Sequence, residues 1–143
     1  MKIIFLAGGK GERLKPLTEE NSKSMIPVAG KPFITWTLEN AKKFGEVLVV
    51  TGDRQEDVKR LGEKIVIQDE PLGTANAISV CENEIDDEFL VINADCYASE
   101  EDLQKITETD GNCVGIFSSE DTKDFGVIDV ENGIIKNIEE KPK

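Results

Sequence analysis

Lys2-Ile3-Ile4-Phe5-Leu6-Ala7-Gly8-Gly9-Lys10-Gly11-Glu12-Arg13-Leu14 passes within a few residues from an apolar run into a glycine-rich loop that carries cations. A run that is apolar at every position, rather than at alternate ones, suits a strand covered on both faces, as strands of a parallel sheet are. Such a sheet presents its ligand crevice at the carboxyl ends of its strands, and the glycines fall there. Glycine lets backbone N–H groups come close to a phosphate, and Lys10 and Arg13 add positive charge beside them. Two better-known phosphate loops do not fit. Reading from Gly9, the dinucleotide fingerprint needs glycine at position 14 and meets Leu14; the Walker pattern needs Ser or Thr after Gly-Lys and meets Gly11. By itself the loop reads either as a phosphate cradle or as a bare glycine turn.

Working outward, the apolar run at residues 2–7 recurs at 46–52, 64–68 and 88–94, the runs bounded by Gly or Asp. Helices are expected between these runs. Residues 32–44 place Pro32 at the start, apolar side chains at Phe33, Trp36, Leu38, Ala41 and Phe44, and Gly45 where a left-handed cap would sit. That spacing assigns Trp36 and Phe44 to the core. Residues 53–61 and 74–84 read as two further helices, the second capped by Thr74, and 99–108 as a fourth, with Ser99 as cap and Asp102 three residues on. The alternation predicts an α/β fold: a right-handed, doubly wound, mostly parallel sheet with flanking helices. After Asp110 the pattern changes to strands at 112–119, 125–130 and 134–138, with Glu131-Asn132-Gly133 as a hairpin turn. One domain over 1–143 is expected, in two halves, 1–110 and 111–143. The charged tail at 139–143 has nothing after it to pack on the last strand, so the domain reads as truncated at that end.

The net charge of −12 and the pI near 4.5 argue against an extended nucleic-acid or anionic-membrane surface. Positive charge is nevertheless concentrated locally: residues 10–31 carry Lys10, Arg13, Lys15, Lys23 and Lys31 against Glu12, Glu19 and Glu20. That suits a small anionic ligand. Cys81, Cys96 and Cys113 are odd in number and widely spaced in a chain without histidine, which excludes the usual zinc spacings and a disulfide framework and predicts reduced, buried thiols. The opening apolar run is too short for a secretory segment or a membrane span, so a cytoplasmic protein is expected. Without imidazole, the catalytic groups available are Asp, Glu, Lys and Arg.

The loop continues as Leu14-Lys15-Pro16-Leu17-Thr18, and Ser22-Lys23-Ser24-Met25-Ile26-Pro27-Val28-Ala29-Gly30-Lys31-Pro32 follows. The whole run resembles the signature of the sugar-phosphate nucleotidylyltransferases. In order come Gln68-Asp69-Glu70-Pro71-Leu72-Gly73-Thr74-Ala75, similar to that family's base-recognition segment, and Asn93-Ala94-Asp95, at the place of its Gly-Asp metal pair. Phe125-Gly126-Val127-Ile128 and Glu140-Lys141-Pro142 resemble its sugar and sugar-phosphate segments. Six motifs in order are far more specific than any one.

The resemblance implies the nucleotide-diphospho-sugar transferase fold, with NTP and sugar 1-phosphate as partners and Mg²⁺ as cofactor. By analogy Leu6, Ala7, Gly8, Gly9, Lys10 and Gly11 would hold base and phosphates, and Gln68, Gly73 and Thr74 the base. Gln68 can pair with either a purine or a pyrimidine edge. Arg13 would neutralise the departing pyrophosphate, Lys23 would sit on the α-phosphate, and Asp95 would hold the metal. Gly126, Glu140 and Lys141 would touch the sugar phosphate. Residues 1–110 would then be the nucleotide-binding half and 111–143 the start of the sugar-phosphate half.

Two positions depart from the pattern: Ser22 stands where the family has proline, and Ala94 where it has glycine. The family also continues past Glu-Lys-Pro with strands that supply a second metal aspartate. A different class therefore stands beside the enzyme: a nucleotide-binding or regulatory module of the same fold that does not complete turnover. The open strand edge suits a homo-oligomer.

Overall fold

A computed structural model describes residues 1–9, 11–52, 56–85, 87–123 and 125–141. It divides into two compact units, Met1–Cys113 and Val114–Lys143.

The first unit runs through β1 (Lys2–Leu6), a small hairpin of β2 (Pro27–Val28) and β3 (Lys31–Pro32), α1 (Phe33–Ala41), β4 (Glu46–Thr51), β5 (Lys64–Ile67), α2 (Thr74–Ser79), β6 (Phe89–Asn93) and α3 (Glu100–Thr107). β1, β4, β5 and β6 form one sheet in the order β5-β4-β1-β6, every pair parallel, as the continuous apolar runs predict. Side chains alternate between two buried faces. Ile3, Phe5, Ala7, Val47, Val49 and Ile92 pack with Ile34, Leu38 and Ala41 of α1 and Leu103 of α3. Ile4, Leu48 and Val50 pack on the opposite face with Ala77 of α2 and Cys81. Helices thus cover both faces, and each buried aliphatic side chain contributes about 1.5–3 kcal/mol.

The helices are shorter than their apolar spacing suggests. α1 ends at Ala41 with Lys42 as its cap, and Gly45 is not in the left-handed region. Gly45 serves a tertiary contact instead: a Cβ there would meet the Met1 carbonyl oxygen at 2.3 Å. Gly45→Ala should therefore lower stability by about 1–3 kcal/mol, read as a shift of the urea midpoint; an unchanged midpoint would mean that the start of β1 moves aside freely. Trp36 is not a core residue. Its indole N–H donates to the Val28 carbonyl at 3.1 Å and its ring lies under Lys31 Nζ, 3.9 Å from the centroid, so it braces the β2–β3 hairpin. Phe44 does pack on the core.

Of the helix expected at 53–61, residues 53–55 lie outside the described residues, and Val58–Leu61 form a short 3-10 turn capped by Asp57 and closed by Gly62. The expected 74–84 helix splits into α2 and a 3-10 turn at Glu82–Glu84. Gly73, not Thr74, is the cap of α2; its φ of 102° is accessible to glycine and strained for any other residue, so Thr74 becomes the first helical residue. The Ser99 cap forms as expected. Ser99 Oγ accepts from the Asp102 N–H at 3.2 Å, and the Asp102 carboxylate accepts the Ser99 N–H at 3.0 Å. The Ser99 hydroxyl also donates to that carboxylate at 2.6 Å, and this bond, followed by the one from the Ser99 N–H, holds the Asp102 carboxyl below its usual range. Cys81 is buried, whereas Cys96 and Cys113 are exposed, so the expectation of buried thiols holds for one of the three. Among the described residues no helix is long and apolar enough to cross a membrane.

In the second unit β7 (Gly126–Glu131) pairs antiparallel with β8 (Ile134–Glu140), with a register shift at Asp129/Val130. Asn132 and Gly133 both have positive φ, 53° and 76°, as the tight hairpin turn requires. The strand expected at 112–119 is not formed: Val114, Ile116 and Phe117 are exposed and the segment has no ladder partner among the described residues. Apolar content makes a strand only where a neighbouring strand takes up its backbone groups.

Candidate active site

The strand order places a switch point between β1 and β6: from β1 the chain builds outward through β4 and β5, then returns to β1's other edge as β6. Loops leaving β1 and β6 must diverge there, opening a crevice at their carboxyl ends. An open cleft of about 400 Å³ lies at that place. Leu6, Ala7, Gly8 and Gly9 line it from the β1 side, Lys23 and Ser24 from the second signature segment, Gln68, Gly73 and Thr74 from the segment after β5, and Ala94 and Asp95 from the end of β6. Lys10 lies outside the described residues. Gly11 stands at the base of the loop rather than in the lining, and Arg13 sits on an exposed 3-10 turn, Glu12–Leu14, also away from it. Gly126, Glu140 and Lys141 lie together in the second unit: Gly126 pairs with Glu140, and the Lys141 N–H donates to the Phe125 carbonyl at 3.0 Å.

Backbone bonds carry the sheet's order one residue past its strands and so fix the floor of the cleft. Ala7 N–H donates to Val50 O at 2.8 Å, Ala94 N–H to Leu6 O at 3.1 Å, and Gln68 N–H to Thr51 O at 2.7 Å. Among the described residues outside its chain neighbours, nothing lies within 4 Å of where a Gly9 side chain would project. Gly11, at φ 62°, is packed tightly instead. A Cβ on it would meet Thr18 Cγ2 at 2.7 Å, and the Thr18 hydroxyl donates to Gly11 O at 2.8 Å, closing the loop on itself.

Gln68 is 7% exposed, and its amide is committed: Nε2 donates to Asn76 Oδ1 at 2.8 Å and to Gly73 O at 3.2 Å. Two acceptors fix the orientation of the amide, leaving Oε1 toward Gly8, where a Cβ would come within 3.2 Å of it. The cleft is therefore offered an acceptor at this point, not a donor. Asn76→Leu should free the amide to rotate and leave a buried polar group without its partner, a cost of about 1–3 kcal/mol read as a shift of the urea midpoint; Asn76→Asp, which keeps an acceptor oxygen, should lose less.

Opposite stands the pair Lys23 and Asp95, with Nζ 2.6 Å from Oδ2. The two side chains retain 39% and 44% of their exposure, so both can reach a ligand. Beside them Ser24 is 3% exposed, and its hydroxyl has no protein partner among the described residues. The chain beyond Asp95 is tied to α1: the Thr37 hydroxyl donates to Cys96 O at 3.0 Å and accepts from Ala98 N–H at 3.0 Å, and Asn40 Nδ2 donates to Ala98 O at 3.1 Å. Desolvation, followed by the adjacent Asp95 carboxylate, pushes the Cys96 thiol up.

The residues that reading the sequence missed are Ser24, Thr18, Asn76 and Asp57. Thr18 and Asn76 act through side-chain hydrogen bonds to residues seven and eight positions away, Asp57 through bonds to a distant segment, and Ser24 stands in the cleft wall; only the signature context of Thr18 and Ser24 offered a signal.

A parallel doubly wound sheet with a glycine loop, a lysine and an aspartate at its switch point defines an α/β domain with its ligand crevice at that point. The family described as nucleotidyl transferase matches residues 2–143, and the chain belongs to it. It is similar to the bifunctional protein GlmU of Methanococcus maripaludis, 35% identical over 151 residues, covering 100% of this chain and 36% of that one. Likewise, the D-glycero-alpha-D-manno-heptose 1-phosphate guanylyltransferase of Campylobacter jejuni is 33% identical over 153 residues, covering 99% of this chain and 69% of its own length. Among solved structures, a putative glucose-1-phosphate thymidylyltransferase from Bacillus anthracis superposes with a TM-score of 0.81 at 30% identity, covering 99% of this chain and 65% of that one. The chain thus spans 36% of the length of the GlmU relative.

Proposed function

We propose that this cleft transfers a nucleotidyl group from an NTP to a sugar 1-phosphate. A phosphate oxygen of the sugar 1-phosphate forms a bond to the α-phosphorus, the bond from that phosphorus to the bridging oxygen breaks, and pyrophosphate departs with the electron pair. The attacking phosphate is already an anion at neutral pH, so no general base is needed and the work is positioning and charge neutralisation. The observation that carries this reading is the Lys23–Asp95 pair at 2.6 Å on the wall of the switch-point cleft. The names of the guanylyltransferase and thymidylyltransferase relatives point to the same reaction type.

Lys23 would neutralise charge gathering on the α-phosphate; a part for Arg13 at the departing pyrophosphate stands on sequence resemblance alone, since Arg13 does not line the cleft. An exposed carboxylate beside a triphosphate fits Mg²⁺, which takes one or two carboxylates together with phosphate oxygens and water. Asp95 would hold the ion, which when bound would neutralise phosphate charge. Sugar-phosphate contacts through Gly126, Glu140 and Lys141 stand on sequence resemblance alone.

The test is pyrophosphate release with Mg²⁺, each of the four common NTPs, and glucose, N-acetylglucosamine and mannose 1-phosphates. Release with one pair is the expected result. Saturable NTP binding without release under any pair would favour the binding-module reading, and no NTP binding would overturn the site.

A further inference from the structure

Asp57 lies on the loop between β4 and β5, and both of its carboxylate oxygens are spent on a distant segment. The Ser22 N–H donates to Oδ2 at 2.7 Å and the Ser22 hydroxyl to Oδ1 at 2.8 Å. Oδ1 also takes the Val58 N–H at 3.0 Å, which caps the 3-10 turn Val58–Leu61. That turn is anchored, because Val58 is fully buried in the core beneath α1. Ser22 in turn opens the 3-10 turn Lys23–Met25: the Met25 N–H donates to Ser22 O at 2.9 Å, and Met25 packs on the same core. Lys23 is therefore carried on a turn gripped at one end by Asp57 and at the other by the Met25 side chain.

Ser22 has φ −62° and ψ 144°, a conformation that proline would hold by its ring. Serine is free to leave it, and an isolated three-residue 3-10 turn has little stability of its own. The two bonds to Asp57 supply the missing restraint. We propose that Asp57 is a positioning residue for Lys23, holding through Ser22 the turn that presents the ammonium beside Asp95. Its consequence for nucleotide rests on the reading of the cleft as an NTP site, whereas the restraint itself does not.

The test uses the full chain with Asp57→Ala, Asp57→Asn, Ser22→Thr, Ser22→Pro and the Ser22→Pro/Asp57→Ala double variant. Three readouts are taken: amide hydrogen exchange at Met25 without nucleotide, acylation of the Lys23 amine followed by mass spectrometry, and the Kd and KM for Mg-NTP. Asp57→Ala should speed Met25 exchange about tenfold and weaken NTP binding about tenfold, the size of one charge-assisted hydrogen bond, with severalfold faster acylation of Lys23. Asp57→Asn, which preserves volume, should fall between it and the parent and decides the matter if the alanine variant does not fold. Ser22→Thr keeps both donors and should match the parent. In the double variant the ring replaces the carboxylate, so Met25 exchange should return toward the parent rate, a non-additive result. Parent-like exchange and acylation in folded Asp57→Ala or Asp57→Asn would overturn the proposal, as would faster exchange with NTP affinity unchanged. A parent chain that binds no NTP would instead bring down the proposed function, leaving exchange and acylation to decide the restraint.

Discussion

Lys23→Met is expected to slow pyrophosphate release by roughly a hundred- to a thousand-fold, the loss of about 2.7–4 kcal/mol that follows removal of one preorganised charge contact from a site. The same substitution should move the urea midpoint by less than about 1 kcal/mol, because exposed ion pairs contribute about 0–1 kcal/mol to folding. Lys23 and Asp95 retain 39% and 44% of their side-chain exposure, so the free chain keeps them in water, where their attraction is weak. In the proposed reaction a bound triphosphate would displace that water and make the same ammonium far more valuable. Methionine preserves the length and apolar stem of lysine and removes only the charge, which separates the electrostatic role from packing. Asp95→Asn should likewise spare stability while depressing turnover, and the double variant should lose less than the sum of the single losses, since the two groups are paired and the proposed roles fall on one phosphate cluster. A large fall in stability for either single variant would mean that the pair is structural, and the proposed chemistry would have to be moved elsewhere in the cleft.

The strands of the sheet were legible because burial on two faces leaves an unbroken apolar run, and Ile3-Ile4-Phe5-Leu6 has no other economical explanation. Helix ends were not. Gly45 and Gly73 both lie near a helix terminus, yet one makes room for the Met1 carbonyl and the other bends the chain into α2, and nothing local distinguishes these uses. Residues 112–119 look as strand-like as β7, but strand formation depends on a partner that sequence spacing does not name. The same division runs through the site. Gly8, Gly9, Lys23, Gln68 and Asp95 stand in signature segments, and the sheet brings them to one cleft. Asn76 and Asp57 have ordinary polar surroundings in sequence; their meaning appears only when Gln68 and Ser22 are found bonded to them.

Phe5→Ala should cost about 3–5 kcal/mol, the usual loss for a large aromatic side chain removed from a close-packed interior. Phe5 is fully buried, in register with Val49 of β4 on one side and Ile92 of β6 on the other, and all three face the same core layer beneath α1 and α3. The two flanking residues are held by strand pairing, which limits how far they can move into the space. Against a total stability of about 5–15 kcal/mol for a domain, such a loss leaves much of the chain unfolded on warming. The consequence for function is separable, because Phe5 lies below the floor that the Ala7, Ala94 and Gln68 backbone bonds establish. At a temperature where the variant remains folded, its NTP affinity should stay close to that of the parent although its urea midpoint has collapsed. Affinity falling in step with stability would mean that the cleft has no order of its own and is held open only by the core beneath it.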